Sequence, residues 1–457
     1  MKIPALAAVI LLATIYSLAQ SPDPNRKFSP DQLKADLTFV KTQLFNAHAN
    51  PFTELSKADY EKVFERMDKQ ITDSMTATGF FKLVRPAVSY LSDEHAQISL
   101  GSNLQTAEYK TGEIFLPFTL GHKGSSYTVD DVLSTTSGLQ KGDIITQVNG
   151  QPVADLVKRC VNYSTGFPGQ RADNALQQFG YLYTISQPDT RHSFDIKMGD
   201  GKVIAIHGTT FNKWYDYLVM KAGMAGSSGK TITYNRYGDA GYITATAFDA
   251  RNDRQMDSLR KVVAAMFAQI KTDGLKTLFI DVSRNGGGNS AVGDMMTDFF
   301  YDKPYRGYQC NWKRSDEYLA LTKSWGINND FYANQLVGKV IHFDSDMEKV
   351  SANNPVRFSG KTYVVVGDGT FSSAMMFATT IKDNHIATLI GQVPKEGHPN
   401  HFGEMYATKL PNTKLDIRFG VKEWIRPAGK SGENVLRPDM IVDLSKGPEE
   451  VVRQVLR

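Results

Sequence analysis

Residues 361–383 read KTYVVVGDGTFSSAMMFATTIKD and give the clearest local indication of the fold. Its first part, Thr362–Val366, is a short apolar run rich in β-branched residues, which is typical of a strand buried in a parallel sheet. A glycine turn, 367–369, ends the strand, and an apolar pattern with helical spacing begins near Ala374. A serine between such a turn and a helix exposes its hydroxyl above a sheet edge, beside free backbone N–H groups. Ser372 is therefore a candidate nucleophile. A simpler interpretation is that Ser372 or Ser373 caps the helix.

The residues upstream of this stretch predict further strand–helix–strand units. Strands are expected over 241–248 and 277–282, with an amphipathic helix between them, which implies a mostly parallel sheet in an α/β domain. The second strand leads into SRNGGGNS, residues 283–290. Three consecutive glycines let backbone N–H groups approach a ligand closely, as in an oxyanion hole. A phosphate loop does not fit, because the lysine of that motif is missing.

The whole chain is long enough for several domains. Its 457 residues are 41% hydrophobic and carry a net charge of +4 with scattered basic residues, which gives no indication of a nucleic-acid partner or an anionic membrane surface. Residues 1–19 have the pattern of a cleaved signal peptide, so we expect a periplasmic or secreted protein without stable membrane insertion. Cys160 and Cys310 could form a disulfide in that compartment or remain as buried thiols.

We expect the following domains after the signal peptide. Residues 20–105 predict a small helical domain, and 106–207 predict a β-rich domain in which Asn149–Gly150 marks a hairpin. The second resembles a PDZ-like domain, although the loop that captures a free C-terminus is not evident. Residues 208–230 are expected to be a linker, and 231–457 the α/β domain. An aromatic-rich insertion, 301–360, is expected to pack against that domain.

Four ordered motifs resemble one family, the C-terminal-processing or tail-specific serine proteases, which includes the tricorn core and the interphotoreceptor retinoid-binding proteins. The motifs begin at Ile280, Val364, Leu389 and Arg437 and read IDVSRNGGGNS, VVVGDGTFSSAMMFATTIKDN, LIGQ and RPDMIV. The resemblance implies a ClpP/crotonase-like core that cleaves proteins or peptides without a cofactor. It implies Ser372 as the nucleophile, with Ser373 as the alternative. The oxyanion hole would use the N–H groups of Ser373 and of Gly287 or Gly288.

The base departs from the tail-specific pattern. The family's lysine would fall at position 397, which is a glycine here, and the nearest replacements are Lys395 and His398. The tricorn-like members instead take a histidine from an Asp-x-His motif, which matches Asp93–Glu94–His95. We therefore assign His95 as the base. Histidine chemistry predicts activity that rises through about pH 6 to 7.

Further residues around the base stay open. Asp93, Glu404 and Glu423 are equal candidates for the acid that orients the base. His398 and His401, near Glu396 and Glu404, lie in a loop whose spacing does not favour a metal site. The alternative function is a peptide- or ligand-binding protein on the same fold without catalysis.

Overall fold

The structure is a computed structural model that describes residues 23–101, 112, 114–133, 138–187, 191–221, 231–430 and 432–457. The predicted signal peptide, residues 1–19, and the glycine–serine part of the predicted linker lie outside the described residues. Within the part that the structure describes, no helix is long and apolar enough to cross a membrane.

The N-terminal segment contains the predicted helices. Its elements are β1 (Lys27–Phe28), α1 (Pro30–Ala47), α2 (Lys57–Gln70), β2 (Met75–Thr76), α3 (Ala77–Val84), a 3₁₀ helix (Arg85–Leu91) and β3 (Gln97–Ser99). Each α-helix begins after a hydroxyl N-cap, namely Ser29, Ser56 and Thr76. At Ser29 the cap is reciprocal, because the Gln32 side chain accepts a hydrogen bond from the Ser29 N–H.

The middle segment combines two small antiparallel sheets with helices. Its elements are β4 (Phe118–Lys123), β5 (Ser126–Val132), β6 (Ile145–Val148), β7 (Gln151–Pro152), α4 (Val153–Val161), α5 (Pro168–Gln177), α6 (Phe179–Ser186), β8 (Ser193–Met198), β9 (Val203–His207) and α7 (Phe211–Lys221). Strands β4 and β5 form a ribbon, and the other sheet has the order β7-β6-β8-β9. Asn149 and Gly150 have positive φ of 49° and 76° in the predicted hairpin turn.

Helix α7 lies where the sequence predicted a linker, and this is a correction. Phe211, Trp214 and Leu218 recur at helical spacing and turn one face of the helix toward the core. The Trp214 ring is completely buried, and its Nε1–H donates to the Leu116 carbonyl over 3.0 Å. Residues 211–221 are therefore folded, because a buried tryptophan holds them.

The C-terminal half holds the predicted α/β domain and its insertion. Its elements are β10 (Ile232–Tyr237), β11 (Ala240–Ala245), α8 (Asp253–Thr272), β12 (Thr277–Asp281), α9 (Ser290–Thr297), β13 (Tyr305–Arg306), β14 (Gln309–Lys313), α10 (Asp316–Ser324), α11 (Asp330–Ala333), β15 (Val340–Phe343), β16 (Met347–Glu348), β17 (Lys361–Val366), α12 (Ser373–Asp383), β18 (Thr388–Gly391), β19 (His401–Lys409), β20 (Asp416–Ile425), β21 (Met440–Ile441) and α13 (Pro448–Leu456).

The main sheet confirms the predicted α/β class. Its order is β10-β11-β12-β17-β18-β21, and every pair is parallel except the β10–β11 edge pair. Helices α8, α9 and α12 cover one face and α13 covers the other. Val364 and Val366 of β17 point into the first core, and Val365 points into the second. Because β12 and β17 are parallel neighbours, the glycine turn and Ser372 follow them at the same sheet edge.

A second sheet joins the N-terminal segment to the C-terminal half. Its order is β15-β14-β20-β19, and β3 pairs with β20 so that Gln97 lies opposite Arg418. This pairing carries His95, two residues before Gln97, across to the α/β domain. Within the predicted insertion, the rings of Trp312 and Tyr332 stack with their centroids 4.3 Å apart.

The cysteines are two separate buried thiols in the structure. Cys160 lies in α4 and Cys310 in β14. Burial raises the pKa of each thiol to about 12, so both stay protonated at neutral pH.

Candidate active site

Ser372 lies in a strained turn between β17 and α12. Its backbone has φ 51° and ψ −125°, in the region that residues with a side chain rarely adopt. The Thr370 side chain holds the turn, since its hydroxyl accepts from the Gly367 N–H and donates to the Val282 carbonyl over 2.8 Å. Strain of this kind persists only where the surroundings fix the backbone, and it is frequent at catalytic sites.

The two serines at the helix start have different partners. Ser372 occupies the N-cap position of α12, but its side chain makes no capping hydrogen bond. Its Oγ instead lies 3.3 Å from His95 Nε2. The Ser373 hydroxyl donates to the Gly288 carbonyl over 2.7 Å. Of the two, Ser372 therefore has the hydroxyl that faces a potential base.

His95 and Asp93 occupy the junction between the 3₁₀ helix and β3. The Asp93 side chain is completely buried, and its Oδ1 accepts a hydrogen bond from the His95 N–H over 2.7 Å. The same Oδ1 lies 3.7 Å from His95 Nδ1, beyond hydrogen-bonding distance. The His95 ring packs on Phe371, with ring centroids 4.8 Å apart. Ser372, His95 and Asp93 thus form a line in the order of a nucleophile, a base and an acid.

The Asp93 carboxyl remains ionised although it is buried. Burial favours its protonated form, but the facing imidazoles of His48 and His95 outweigh burial and lower the pKa of Asp93. The Gly420 N–H donates to its Oδ2 over 2.7 Å. A buried negative charge therefore lies next to the base.

The other acid candidates have partners elsewhere. Glu404 accepts from the Tyr318 hydroxyl over 3.1 Å and lies 3.3 Å from Lys422 Nζ. Glu423 accepts from the Asn311 amide and pairs with Lys430. Asp93 is thus the candidate that contacts His95.

The other base candidates are also paired elsewhere. Lys395 is more than half exposed, and its Nζ lies 3.5 Å from Asp368 Oδ2. His398 Nδ1 is hydrogen-bonded to the buried Glu94 carboxyl. Burial raises the pKa of Glu94 and lowers the pKa of His398 to about 4, which favours a neutral pair. Among the described residues, His95 is the candidate base at hydrogen-bonding distance from Ser372.

The glycine turn packs directly against the serine. An added Cβ at Gly287 would lie 2.7 Å from the Ser372 Cβ, and one at Gly288 would lie 2.3 Å from the Phe248 carbonyl oxygen. Both glycines have positive φ, of 98° and 132°. The sequence at these two positions is therefore restricted to glycine by space and by backbone conformation.

The N–H groups at this turn are not equivalent. The Gly287 N–H donates to Asn285 Oδ1 over 2.8 Å, so it is already bonded. Within the residues that the structure covers, the N–H groups of Gly288 and Ser373 have no protein acceptor. Of the two glycines predicted for an oxyanion hole, Gly288 is thus the one with a free donor. Ser373 adds the first N–H of α12, at the positive end of the helix dipole.

These groups open into one cleft of about 840 Å³. Its walls come from the glycine turn, from Ala247–Arg251, from the start of α12 and from β19 and β20. His95, Ser372 and the Gly288 turn all line the cleft. A substrate in this cleft would reach the hydroxyl, the imidazole and the free N–H groups together.

Sequence reasoning missed His48 and Asn285. His48 follows α1 and is completely buried, with Nε2 3.3 Å from Asp93 Oδ2. Its position in the sequence gives no signal, since the contact is made only in the folded chain. Asn285 had a local signal, because asparagine often accepts from the backbone N–H two residues later, here that of Gly287.

Comparison with known proteins gives a family for the part of the chain that contains Ser372. Residues 239–442 match the sequence model of Peptidase family S41. This region is a peptidase family S41 domain. The resemblance seen in the sequence is thereby confirmed, and with it the class of serine-type peptidases. Ser372 and the glycine turn both lie within the matched region, whereas His95 and His48 lie outside it.

Solved structures extend the similarity beyond the S41 domain. Mature CPAF complexed with lactacystin has a TM-score of 0.58 at 13% identity, over 90% of this chain and 94% of that chain. Mature CPAF alone has a TM-score of 0.57 at 14% identity, over 93% and 96%. The photosystem II D1 C-terminal processing protease has a TM-score of 0.42 at 13% identity, over 93% and 96%. No curated protein sequence matches the chain. The two CPAF structures share the fold of this chain, and the PDZ-like assignment of residues 106–207 stays a prediction.

Proposed function

We propose that this chain is an exported serine endopeptidase in which Ser372 is the nucleophile and His95 is the base. The observation that carries the proposal is the 3.3 Å contact between Ser372 Oγ and His95 Nε2, made by residues 277 positions apart in the sequence. Peptidase family S41 supplies the class of substrate, which is proteins or peptides.

The reaction follows from the positions of these groups. Ser372 Oγ attacks the carbonyl carbon of the scissile peptide bond while His95 Nε2 takes the hydroxyl proton. The carbonyl oxygen becomes an oxyanion and accepts hydrogen bonds from the N–H groups of Gly288 and Ser373. When the C–N bond breaks, His95 returns the proton to the leaving amine and an acyl-enzyme remains. Water, activated by His95, then hydrolyses the ester and restores Ser372.

Asp93 stabilises the positive charge that His95 carries during each step. Its carboxylate is ionised and faces the imidazole, so it favours the imidazolium that forms after proton transfer. The 3.7 Å separation leaves room for the ring to move toward the carboxylate when it becomes charged. Catalytic hydrogen bonds are often long in the free enzyme and tighten with substrate bound.

We further propose that residues 1–19 are cleaved and that the enzyme acts in the periplasm or outside the cell. The proposed PDZ-like domain, residues 106–207, would lie beside the site. Its Gln170 side chain donates to the Glu396 carbonyl over 2.8 Å, and Phe167 packs on the His398 ring at 4.4 Å. These contacts support a role for this segment in admitting substrate to the cleft.

Digestion of a chemically unfolded protein by the chain from Gln20 to Arg457 tests the proposal. We expect the wild type to cut and both Ser372→Ala and His95→Ala to lose about 10³-fold or more in kcat, as in triad enzymes. His122→Ala, at an exposed histidine of β4, is the matched control and should cut normally.

Other outcomes would redirect or reject the proposal. If His95→Ala cuts like the wild type, the base is elsewhere, and Lys395→Ala and His398→Gln would be the next variants. If the folded wild type never cuts any unfolded protein, the chain is a binding protein on this fold instead.

A further inference from the structure

His48 and Asp93 form a buried pair behind the proposed base. Both side chains are completely buried, and His48 Nε2 lies 3.3 Å from Asp93 Oδ2. The His48 ring packs between Phe402 and Phe419, with ring centroids 4.6 and 5.8 Å away. A polar ring in such apolar surroundings is costly unless its nitrogens have partners.

The backbone fixes which nitrogen of His48 carries the proton. His48 Nδ1 lies 3.1 Å from the Asn50 N–H, which donates to it, so Nδ1 must be the unprotonated nitrogen of a neutral ring. The proton of the neutral ring is then on Nε2. Within the described part of the chain, His48 Nε2 makes no hydrogen bond of good geometry, and the acceptor that it faces is Asp93 Oδ2, 3.3 Å away.

The Asp93 carboxylate is thereby held from both sides. Its Oδ2 faces His48 Nε2–H and accepts from the Gly420 N–H, while its Oδ1 accepts from the His95 N–H. This arrangement leaves Oδ1 as the oxygen that faces the His95 ring. It creates a chain of four side chains in the order Ser372, His95, Asp93 and His48.

We propose that His48 is a positioning residue that orients Asp93 and, through it, the base His95. This inference rests on the proposed Ser372–His95 pair and extends it by one residue that contacts neither substrate nor nucleophile. The Nε2–H of His48 draws part of the carboxylate charge away from His95 and prevents Asp93 from rotating. The other titratable groups around Asp93 and His95 are His401, Glu94 and Arg418.

Two substitutions separate this role from simple packing. His48→Phe keeps an aromatic ring next to Phe402 and Phe419 but removes the Nε2–H group that faces Asp93. His48→Gln removes the ring but can place an amide N–H near the position of Nε2. If His48 only fills space, Phe is the better replacement. If it positions Asp93, Gln is the better one.

We expect His48→Phe to lower kcat about 10- to 100-fold with little change in KM, similar to the loss when the outer partner of a metal-bound histidine is removed. The acid limb of its pH–rate profile should move to higher pH. Without the His48 N–H group, the full negative charge of the Asp93 carboxylate acts on His95 and favours its imidazolium form. His48→Gln should restore most of kcat and return the acid limb toward the wild type. The proposal would be overturned if His48→Phe kept the wild-type kcat and the wild-type acid limb of the pH–rate profile while His48→Gln was the less active enzyme.

A measurement without catalysis keeps the inference testable if the chain does not cut. Histidine ¹⁵N NMR of the Ser372→Ala protein should show His48 as a neutral ring with its proton on Nε2. A proton on Nδ1, or an imidazolium at neutral pH, would overturn the positioning role. Absence of peptidase activity in the wild-type protein would instead reject the proposed function. Failure of the proposed function can therefore be distinguished from failure of the His48 proposal.

Discussion

At the residue scale, the site depends on a few positions at which the backbone leaves little choice. Ser372 has a positive φ and a hydroxyl that faces His95, and Gly287 approaches the Ser372 Cβ too closely for any side chain. The sequence predicted both, because a strand, a glycine turn and a serine at a helix start are local features. It did not predict that Asn285 already binds the Gly287 N–H, which leaves Gly288 as the glycine with a free donor for the proposed oxyanion hole.

Substitution of Gly287 tests this close packing. In Gly287→Ala the new methyl group would overlap the Ser372 Cβ and displace the nucleophile, so we expect kcat to fall about 10²-fold or more. Gly429→Ala is the matched control. Its φ of 86° gives a similar backbone penalty, but an added Cβ there has open space.

The comparison is made on kcat and on the melting temperature together. Gly429→Ala should lose about 1 kcal/mol of stability because alanine is strained at positive φ. Gly287→Ala should lose at least as much, because its methyl group also lacks space. Equal activity in the two variants would show that the glycine turn does not pack against the nucleophile as described.

His95 and His48 differ in how far sequence could identify them. His95 stands in an Asp-x-His motif, which a family resemblance can recognise. His48 lies at the end of a helix, 45 positions before Asp93 counted along the chain, and gains its role only from a contact made in the folded protein. Such a contact leaves no local pattern of spacing or periodicity.

At the element scale, strand and helix patterns predicted the α/β domain well. The continuous apolar run of β17 and the helical period of α8 were clear signals, and both elements formed where they were expected. The main error concerned α7, which lies in a mixed polar stretch and was expected to be a linker. Its stability comes from the burial of Trp214, which a count of polar residues does not weigh.

Substitution of Trp214 tests that explanation of α7. Trp214→Ala should lower the free energy of unfolding by about 3–5 kcal/mol, since it leaves a cavity and removes the donor to Leu116. The neighbouring Tyr215 is 56% exposed, so Tyr215→Ala should change stability by about 0.5 kcal/mol or less. Urea denaturation measures both. Equal effects of the two substitutions would mean that α7 is not held by the buried tryptophan.

At the scale of the whole molecule, the site is assembled from two distant parts of the chain. The α/β domain supplies Ser372 and the glycine turn, and the N-terminal segment supplies His95, Asp93 and His48. The pairing of β3 with β20 joins them, because it places the strand after His95 against the hairpin that lines the cleft. Long-range pairing of this kind is set by tertiary packing and could not be predicted from the local pattern of either strand.

The shared core explains why these parts form one site. One continuous apolar core includes residues from α1, from the middle segment and from β20, so the segment that carries His95 is not an independent unit. The cleft is therefore complete only when the N-terminal segment is folded against the second sheet.

Labelling by a fluorophosphonate, followed by peptide mapping, tests whether His95 activates Ser372. Reaction requires a serine hydroxyl activated by a base and does not depend on knowing the substrate. We predict one modified residue, Ser372, no labelling in Ser372→Ala, and labelling at least about 100-fold slower in His95→Ala. An unlabelled wild type, a label on Ser373, or full labelling without His95 would contradict the Ser372–His95 pair.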